Sequence, residues 1–541
     1  MQVGFVSNEN YEALHEVSVE FKRDGTIVAS TKSTASGSVK ADVPPGTYEV
    51  TLQKEGYRGK AVDVDLTEDS RHDFRLLSAD RMYGYAWPKW IRAGERGQYR
   101  VHTPFEETKI TLWRYGEKKE FVETVGWYYD QGPRNGVQKL PDVDFSQTGV
   151  KWRGHRHDFV NEVTAPDESG LYFFHMESKS SNDFCSFPWV VAPKKPRHNI
   201  AVLSATNTWN SYNGFGGRSN YVQAKSLPET PVVHPGDDLD IHQQKGGLGD
   251  VNLHENHEYR PLSFERPCEF NHVPRGTEVT DPIRGWAESH TAPAEWRALG
   301  WMEREGYNYD LYADYHLHSG DLDLDDYDVL VLQTHSEYWS AQMYRRAKEW
   351  VFERGGKLIA LGANAIDCEI EFVDETRTRH RTNKRGTVGD VNRPVEAPDD
   401  SYESRFHKTV ESQGTLLGVT TTANDLGSAA PYQVVDETHW IYAGTDLADG
   451  DRFGQRTLME AFSGGASGDE TDKLSRFAPE DIDIVAKGLN PNGGGAEMAT
   501  FDTDSEGSVF CSASCTFAPS LLVCPNLSTV MSNVFDRFLN D

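Results

Sequence analysis

The chain contains no run of apolar residues long enough to cross a membrane. A spanning helix needs about 20 consecutive apolar residues, and no stretch of even about 18 occurs in the 541 residues. The N-terminus, MQVGFVSNENYEALHEV, also lacks the basic start and the apolar core of a secretory signal peptide. We therefore expect a cytoplasmic protein that does not enter a membrane.

Cysteine is scarce and shows no metal-binding spacing. The six cysteines contain no C-x-x-C pair; they are Cys185, Cys268, Cys368, Cys511, Cys515 and Cys524. The C-x₃-C spacing of the pair at 511 and 515 has no second pair to complete a zinc site. We interpret all six as reduced, mostly buried thiols of a cytosolic protein. None stands at an evident strand-to-helix turn with a histidine partner, which argues against an amidotransferase-type nucleophile.

Several common catalytic motifs are missing as well. The sequence has no G-x-S-x-G nucleophile elbow and no G-x-x-x-x-G-K-[ST] phosphate loop. Its GFGG segment at 214–217 lacks the rest of a dinucleotide-binding fingerprint, and its HENH segment at 254–257 is one residue short of H-E-x-x-H. Ordinary serine hydrolases, phosphate-loop NTPases and H-E-x-x-H zinc enzymes are therefore disfavoured. A metal bound by other residues is the natural candidate for any chemistry.

Positive charge is in deficit along the whole chain. There are 55 Lys and Arg residues against 84 Asp and Glu, a formal net charge of −29. Such a surface repels nucleic acid and anionic membranes. Aromatic residues make up 11% of the chain and 13 residues are Trp, so this is not a disordered acidic tail.

Acidic residues spread over a folded chain suggest a halophilic protein whose surface holds water and cations in high salt. We expect the thermal unfolding temperature to rise when KCl is increased to molar concentrations, because salt screens the repulsion among like charges. Greatest stability in low salt would contradict this interpretation.

The first third of the chain reads as two β units, residues 1–77 and 78–193. In the first unit, residues 17–21 and 27–30 flank an Asp24-Gly25 hairpin signal. Its sequence pattern, G-x-V…V-P-P-G-x-Y-x-V…G-Y, resembles that of the carboxypeptidase regulatory-like β-sandwich domains. The second unit has a long loop-rich, aromatic middle and ends in strand-like residues 169–178 and 187–191.

Residues 194–541 have the pattern of an α/β domain. The clearest part, residues 327–372, predicts a buried strand at 329–333, a helix with one apolar face, a Gly355-Gly356 stop and a strand at 357–361. Further strands are predicted at 200–204, 307–312, 440–442, 498–501 and 508–512, and helices at 293–305 and 527–539. Residues 374–407 are polar and aperiodic, typical of an insertion or a long active-site flank.

Polar side chains follow two of these strands. His335 and Glu337 come after the first, and Asn364 after the second, where open α/β sheets bind their ligands. Two simpler interpretations remain open. Glu337 would cap the following helix near Ser336, and Asn364 would be a turn residue with left-handed backbone geometry.

Three ordered segments resemble the N,N-dimethylformamidase large-subunit family. They are LSATNTWNSYNGFGGRSNY from residue 203, WMEREGYNYDLYADYHLH from 301, and the HSEYWS…GAN pair from 335 to 364. The resemblance covers roughly residues 199–541. It implies a three-layer, glutamine-amidotransferase-like α/β domain after two Ig-like β-sandwiches, and hydrolysis of the C–N bond of a small amide.

The resemblance also implies a mononuclear Fe(III) held by two tyrosinates and one glutamate. Carried over by motif, Glu337 is the carboxylate and Tyr212 the first tyrosinate, while Tyr259 is assigned as the second, with Tyr221 in reserve. Phenolate and carboxylate oxygens suit Fe(III), and the ion lowers the pKa of a tyrosine that would otherwise lie near ~10.

Three further residues receive roles beside that metal. His335 would steady the carboxylate or bond the substrate oxygen, and Asn364 would donate to the developing oxyanion. Glu497, which leads a C-terminal strand, is the candidate general base, unless it is a plain strand-entry residue.

A non-catalytic reading competes with the enzyme. Two β-sandwiches and a metal-free α/β domain would make a binding or assembly protein. In either case we expect a homo-oligomer formed through the β units, or a small partner subunit, because relatives of this kind build multi-subunit assemblies.

Overall fold

The computed structural model describes residues 2–9, 12–67, 71–129, 161–215, 261–381, 395–396, 402–403, 405–422 and 427–540. Tyr221, Tyr259 and most of residues 374–407 therefore lie outside the described part. Among the described residues, no helix is long and apolar enough to cross a membrane. All six cysteines are described; none forms a disulfide, and all but Cys185 are buried, as predicted.

The N-terminal β-sandwich packs a three-stranded sheet, β4-β1-β7, with a four-stranded sheet, β3-β2-β5-β6. Asp24 and Gly25 turn between β2 and β3 with φ of 53° and 75°, the left-handed geometry of a tight hairpin. A separate apolar core that includes Val19, Phe21 and Val50 lies inside. The strands are β1 Gln2–Ser7, β2 Ser18–Arg23, β3 Thr26–Lys32, β4 Ser38–Lys40, β5 Gly46–Gln53, β6 Lys60–Leu66 and β7 His72–Arg75.

The second β-sandwich pairs sheet β13-β10-β8 with sheet β12-β11-β14-β15-β9. Its strands are β8 Tyr83–Trp87, β9 Trp90–Arg92, β10 Arg96–His102, β11 Glu107–Tyr115, β12 Lys119–Tyr129, β13 Glu162–Thr164, β14 Gly170–Ser178 and β15 Phe184–Ala192.

The larger sheet of this sandwich is covered on both faces. Phe174 and Val191 point into the sandwich core, whereas their neighbours Phe173 and Val190 join the core of the C-terminal region. Side chains alternate between the faces of a strand, so a sheet with two apolar faces has two packing partners. The second sandwich is thus packed directly against the C-terminal region.

The C-terminal region is built on a nine-stranded sheet of order β18-β16-β19-β21-β34-β33-β32-β28-β29. The first five strands are parallel and the last four antiparallel. Its helices are α1 Thr206–Tyr212, α2 Ala292–Glu305, α3 Asp314–Ser319, α4 Ala341–Arg354, α5 Gly414–Leu417, α6 Phe517–Ser520 and α7 Pro525–Asn540. Its strands are β16 Ile200–Ser204, β17 Leu262–Ser263, β18 Asp310–Ala313, β19 Val329–Leu332, β20 Tyr338–Trp339, β21 Lys357–Ala360, β22 Cys368–Asp374, β23 Arg377–His380, β24 Val395–Glu396, β25 Tyr402–Glu403, β26 Val419–Thr422, β27 Ala429–Ala430, β28 Tyr432–Val434, β29 Arg452–Phe453, β30 Ser467–Gly468, β31 Thr471–Leu474, β32 Asp483–Gly488, β33 Glu497–Asp502 and β34 Ser508–Cys511.

One predicted strand is wrong. Residues 440–442 form a short 3₁₀ helix, Trp440–Tyr442, rather than a strand. Their apolar side chains pack beside α7, where Asn533 donates to the carbonyl of Ile441 and the Arg537 guanidinium lies over the Trp440 ring. An apolar triplet buried against a helix has the same composition as a short buried strand, so local sequence does not separate the two.

Candidate active site

Four parallel strands deliver polar side chains to one edge of the large sheet. His335 and Glu337 follow β19, Asn364 follows β21, and Cys515 follows β34. The neighbouring strand β16 leads into α1, which carries Tyr212 near its end. Because these strands run parallel, their carboxyl ends lie at the same edge, where open α/β sheets bind ligands.

Tyr212 and Glu337 meet at the imidazole of His335. The Tyr212 hydroxyl oxygen and Glu337 Oε2 each lie 3.1 Å from His335 Nε2. All three side chains are buried, with at most 3% of any one exposed. Two of the predicted metal ligands and one predicted neighbour of the metal are therefore brought together.

Side chains hold both ends of α1. At its N-terminus a carboxyl oxygen of Asp314 accepts from the backbone N–H of Asn207 at 2.7 Å, and burial raises the pKa of this acid well above its ordinary value. At its C-terminus the buried Arg266 guanidinium donates to the carbonyl of Asn210 at 2.7 Å. A cation at the end of a helix complements the helix dipole, and the two hydrogen bonds together hold α1, and with it Tyr212, in a fixed position.

An internal ion pair fixes Glu337. Arg405 Nη2 lies 3.4 Å from Glu337 Oε1, and the same guanidinium bonds the buried Asp367 carboxylate through Nε at 2.6 Å. Helix α4 is capped by Ser340, whose hydroxyl accepts from the backbone N–H of Met343. Glu337 is therefore not the helix cap, and its second oxygen, Oε2, faces His335.

Three acidic residues that the sequence analysis missed surround this group. Glu470 Oε2 lies 3.7 Å from His335 Nε2, and the Asp472 carboxylate accepts from the backbone N–H of Asn364 at 2.9 Å. Asp469 contacts His290 Nε2 at 2.5 Å. Burial raises the pKa of Glu470 to about 7 and that of Asp472 to about 8.

His290 is the second histidine at the site. Its Nδ1 lies 2.9 Å from the carbonyl oxygen of Trp286, and its ring stacks on that of Tyr212 with centroids 5.6 Å apart. Burial opposes protonation, but the Asp469 carboxylate outweighs it and holds the pKa of His290 above its ordinary value.

Cys515 corrects the expectation that no cysteine has a histidine partner. It lies between β34 and α6, and its Sγ is 3.2 Å from His335 Nδ1. Burial raises the pKa of this thiol well above its ordinary value and lowers the pKa of His335 to about 4. A thiol that stays protonated is a poor nucleophile, so the contact orients the histidine and does not create a cysteine nucleophile.

The backbone around the site is strained at several points. Asn364, Ile366, Asp469 and Ala513 all have positive φ, between 52° and 65°. For a β-branched residue such as Ile366 this geometry is rare. Strained residues of this kind cluster at functional sites, where the surrounding structure imposes them.

Gly362 allows two of the strand exits to approach each other. A Cβ at this position would lie 1.8 Å from the carbonyl oxygen of Thr334, which is backbone and does not move aside easily. We predict that Gly362→Ala destabilises the protein by about 1–3 kcal/mol, measured by urea unfolding. Gly59→Ala is the control, because a Cβ at Gly59 would meet only the carbonyl oxygen of Leu52 at 3.6 Å, an ordinary contact distance; equal losses in both variants would contradict the prediction.

Asn364 adopts the left-handed turn that was its alternative interpretation, with φ of 52°. Its side-chain oxygen is buried and has no hydrogen-bond partner among the described residues. The turn and a role toward substrate are compatible, because the turn is what places the side chain at the sheet edge.

Glu497 does not join the site. Its carboxylate accepts from the backbone N–H of Leu474 at 2.8 Å and lies 3.4 Å from Lys487 Nζ. Leu474 is four residues from Glu470 along an extended segment, which corresponds to roughly 13 Å. The geometry therefore favours Glu470 over Glu497 as the acid beside His335. Tyr259 and Tyr221 lie outside the described residues.

The sequence model of the N,N-dimethylformamidase beta subunit-like family, C-terminal part, matches residues 110–529. The chain belongs to this family. The model of the carboxypeptidase regulatory-like domain matches residues 3–77, within the N-terminal sandwich. Both matches agree with the resemblances drawn from the motifs.

Two curated relatives in this family are N,N-dimethylformamidase beta subunits. The Paracoccus aminophilus protein is 23% identical, over 98% of this chain and 77% of its own length. The Alcaligenes sp protein is 22% identical, over 74% of this chain and 59% of its own length. Among solved structures, the D0-D1 domain of intimin (12% identical, 35% of this chain, 96% of that chain) and invasin (12%, 36% and 39%) each match with a TM-score of 0.11, too low to inform the fold.

Proposed function

We propose that this protein is a metal-dependent amide hydrolase that cleaves the C–N bond of a small amide, with iron as the metal. The observation that carries the proposal is the meeting of Tyr212 and Glu337 at His335, at the sheet edge where ligands bind. The names of the curated relatives support the reaction class. We also propose that the C-terminal region has the three-layer, glutamine-amidotransferase-like α/β fold. The five parallel strands of its large sheet support this proposal.

The charges at the site fit a bound cation. The described acidic side chains are Glu337, Asp367, Asp469, Glu470 and Asp472, and the basic side chains that contact them are Arg405, His290 and His335. Glu470 Oε2 and Asp472 Oδ2 are buried without a hydrogen-bond partner among the described residues. Uncompensated buried carboxylates are costly unless a proton or a metal ion neutralises them. Phenolate and carboxylate oxygens suit a hard ion such as Fe(III).

Tyr212 and Glu337 would hold the metal. The assignment of Tyr259 as the second tyrosinate, with Tyr221 in reserve, remains part of the proposal. Bound iron would act as a Lewis acid toward the amide carbonyl. Glu470 is the group placed to take a proton from water and pass it to the leaving amine, since its pKa is raised to about 7.

Asn364 and His335 complete the proposed machinery. Both lie at the same sheet edge, where N–H donors would stabilise the charge that develops on the carbonyl oxygen. Ile366, Cys368 and Trp339 stand close to Asn364 and Glu337 along the chain and are fully buried. Electrostatic contacts are stronger in such a dry environment than in water.

Partners form a second part of the proposal. The curated relatives are named as beta subunits, which supports assembly with further subunits, either copies of this chain or a small partner. We propose that the chain works in the cytoplasm of a halophile, on the basis of its acidic composition.

Hydrolysis of formamide and other small amides by protein loaded with iron in molar KCl tests the function. We expect release of amine or ammonia by the wild type and none by Glu337→Gln. No turnover of any amide by a protein that retains iron would reject amide hydrolysis. A protein that binds no metal would favour the binding or assembly alternative.

A further inference from the structure

Three aromatic rings meet beside the site. The Tyr212 ring stacks on that of Trp286, with centroids 5.3 Å apart and planes inclined by 28°. It also stacks on the ring of His290, 5.6 Å away and inclined by 26°. The Trp286 and His290 centroids are themselves 4.5 Å apart. These are the distances of favourable ring pairs, so Tyr212 rests against a wall formed by two other rings.

One carboxylate joins the two rings of this wall. Asp469 Oδ1 accepts a hydrogen bond from Trp286 Nε1 at 3.3 Å, and Asp469 Oδ2 lies 2.5 Å from His290 Nε2. The carbonyl oxygen of Trp286 lies 2.9 Å from His290 Nδ1. The two rings are therefore held together both by the Asp469 side chain and by the turn of backbone that carries them.

The backbone of Asp469 is itself fixed. Its φ of 65° lies in the left-handed region, which is uncommon for a residue other than glycine and persists where the surrounding structure imposes it. Its N–H donates to the carbonyl of Ser428 at 2.8 Å, and its carbonyl accepts from the N–H of Gly427 at 3.0 Å. Only 4% of Asp469 is exposed, so its carboxylate is held in the interior, against the two rings.

Helix α1 alone does not decide where the Tyr212 ring lies. Tyr212 is the last residue of this helix, and the next residue, Asn213, already has extended backbone angles, φ −64° and ψ 110°. A functional group has to be held to within about 0.5 Å of its working position by side chains that are themselves fixed. Trp286 and His290 meet this requirement, because they contact the ring directly and Asp469 fixes both of them.

We propose that Trp286, His290 and Asp469 are positioning residues that set the orientation of the Tyr212 phenol at the site. The inference rests on the proposed function, in which Tyr212 is a metal ligand. Asp469 holds the two rings, the two rings hold the phenol, and the phenol oxygen thereby lies 3.1 Å from His335 Nε2.

Crystal structures of metal-free variants test the positioning directly. We expect Trp286→Leu to move the Tyr212 oxygen by more than about 0.5 Å relative to His335, since leucine provides no ring to stack on. Trp286→Phe, which keeps a ring but lacks the indole N–H, should move it less. Trp113→Leu is the control, because Trp113 is also half-buried and stacks on a histidine, His175, at 5.1 Å, but in the second sandwich. An unmoved Tyr212 in Trp286→Leu would overturn the inference.

Iron retention against a chelator and the tyrosinate-to-iron charge-transfer band give a second readout. Changing a residue that only orients a ligand typically weakens metal binding about 10- to 100-fold. We expect that range, with a shifted band, for Trp286→Leu and for Asp469→Asn, which keeps the volume of the side chain and removes the charge that faces His290. Trp286→Phe and Trp113→Leu should stay close to the wild type.

Urea unfolding separates positioning from a merely structural role. If Trp286→Leu and Asp469→Asn lost stability while iron retention and the band were unchanged, the inference would be overturned and the proposed function would stand. A wild type that binds no iron would reject the proposed function, and the position of Tyr212 in the metal-free crystals would still decide the inference.

Discussion

Glu337→Gln is expected to lose its metal and to lower kcat for amide hydrolysis by about 10³-fold or more. The substitution keeps the volume of a buried side chain and removes the negative charge that faces His335 and Arg405. A tenfold loss of rate corresponds to about 1.4 kcal/mol, and a metal centre contributes several such steps to the reaction. Metal analysis and steady-state kinetics measure the two effects.

Tyr212→Phe is the companion variant, because phenylalanine keeps the ring and removes the oxygen that lies 3.1 Å from His335. Two matched controls separate the site from ordinary burial. Tyr344→Phe removes a buried hydroxyl that bonds the Ser412 carbonyl, and Glu303→Gln alters an ion-paired carboxylate beside Arg114. Normal metal content in Glu337→Gln and Tyr212→Phe would show that these residues are not ligands.

Arg405→Met is expected to produce the largest loss of stability, about 3–5 kcal/mol. The guanidinium is buried between Asp367 and Glu337, so its removal leaves two carboxylates without their cation. Urea unfolding at fixed KCl, followed by tryptophan fluorescence, measures the change in the free energy of unfolding.

Two further variants test whether the loss of stability comes from the buried ion pair. Arg354→Met breaks an exposed pair with Asp325 and should cost no more than about 1 kcal/mol. Adding Asp367→Asn to Arg405→Met should restore part of the stability, because it removes one of the stranded charges. If Arg405→Met were as stable as Arg354→Met, the ion pair would not have the role assigned to it.

The part of the site that local sequence predicts is the part built by β19, α4 and β21. An apolar run, an amphipathic helix and a Gly-Gly stop define these elements, and the strand-end rule then places His335, Glu337 and Asn364 together. Tyr212 came from the family resemblance, since nothing in the period of α1, which is buried on every side, marks one residue as functional.

The missed residues come from segments with no local signal. Glu470 and Asp469 lie between two very short strands, and Arg405 follows a polar stretch. They reach the site only because distant parts of the chain fold together, across 68 residues for Arg405 and Glu337. Glu497 is the opposite case, a residue that local sequence suggested as the general base and that the structure places elsewhere. Its carboxylate accepts a hydrogen bond from the backbone of Leu474 and pairs with Lys487.

Metal content and the visible spectrum of the purified protein test the central claim most directly. We predict stoichiometric iron and a tyrosinate-to-iron charge-transfer band that weakens or disappears in Tyr212→Phe and is unchanged in Tyr344→Phe. A colourless protein that remains free of iron after exposure to the metal, in molar KCl, would contradict the account.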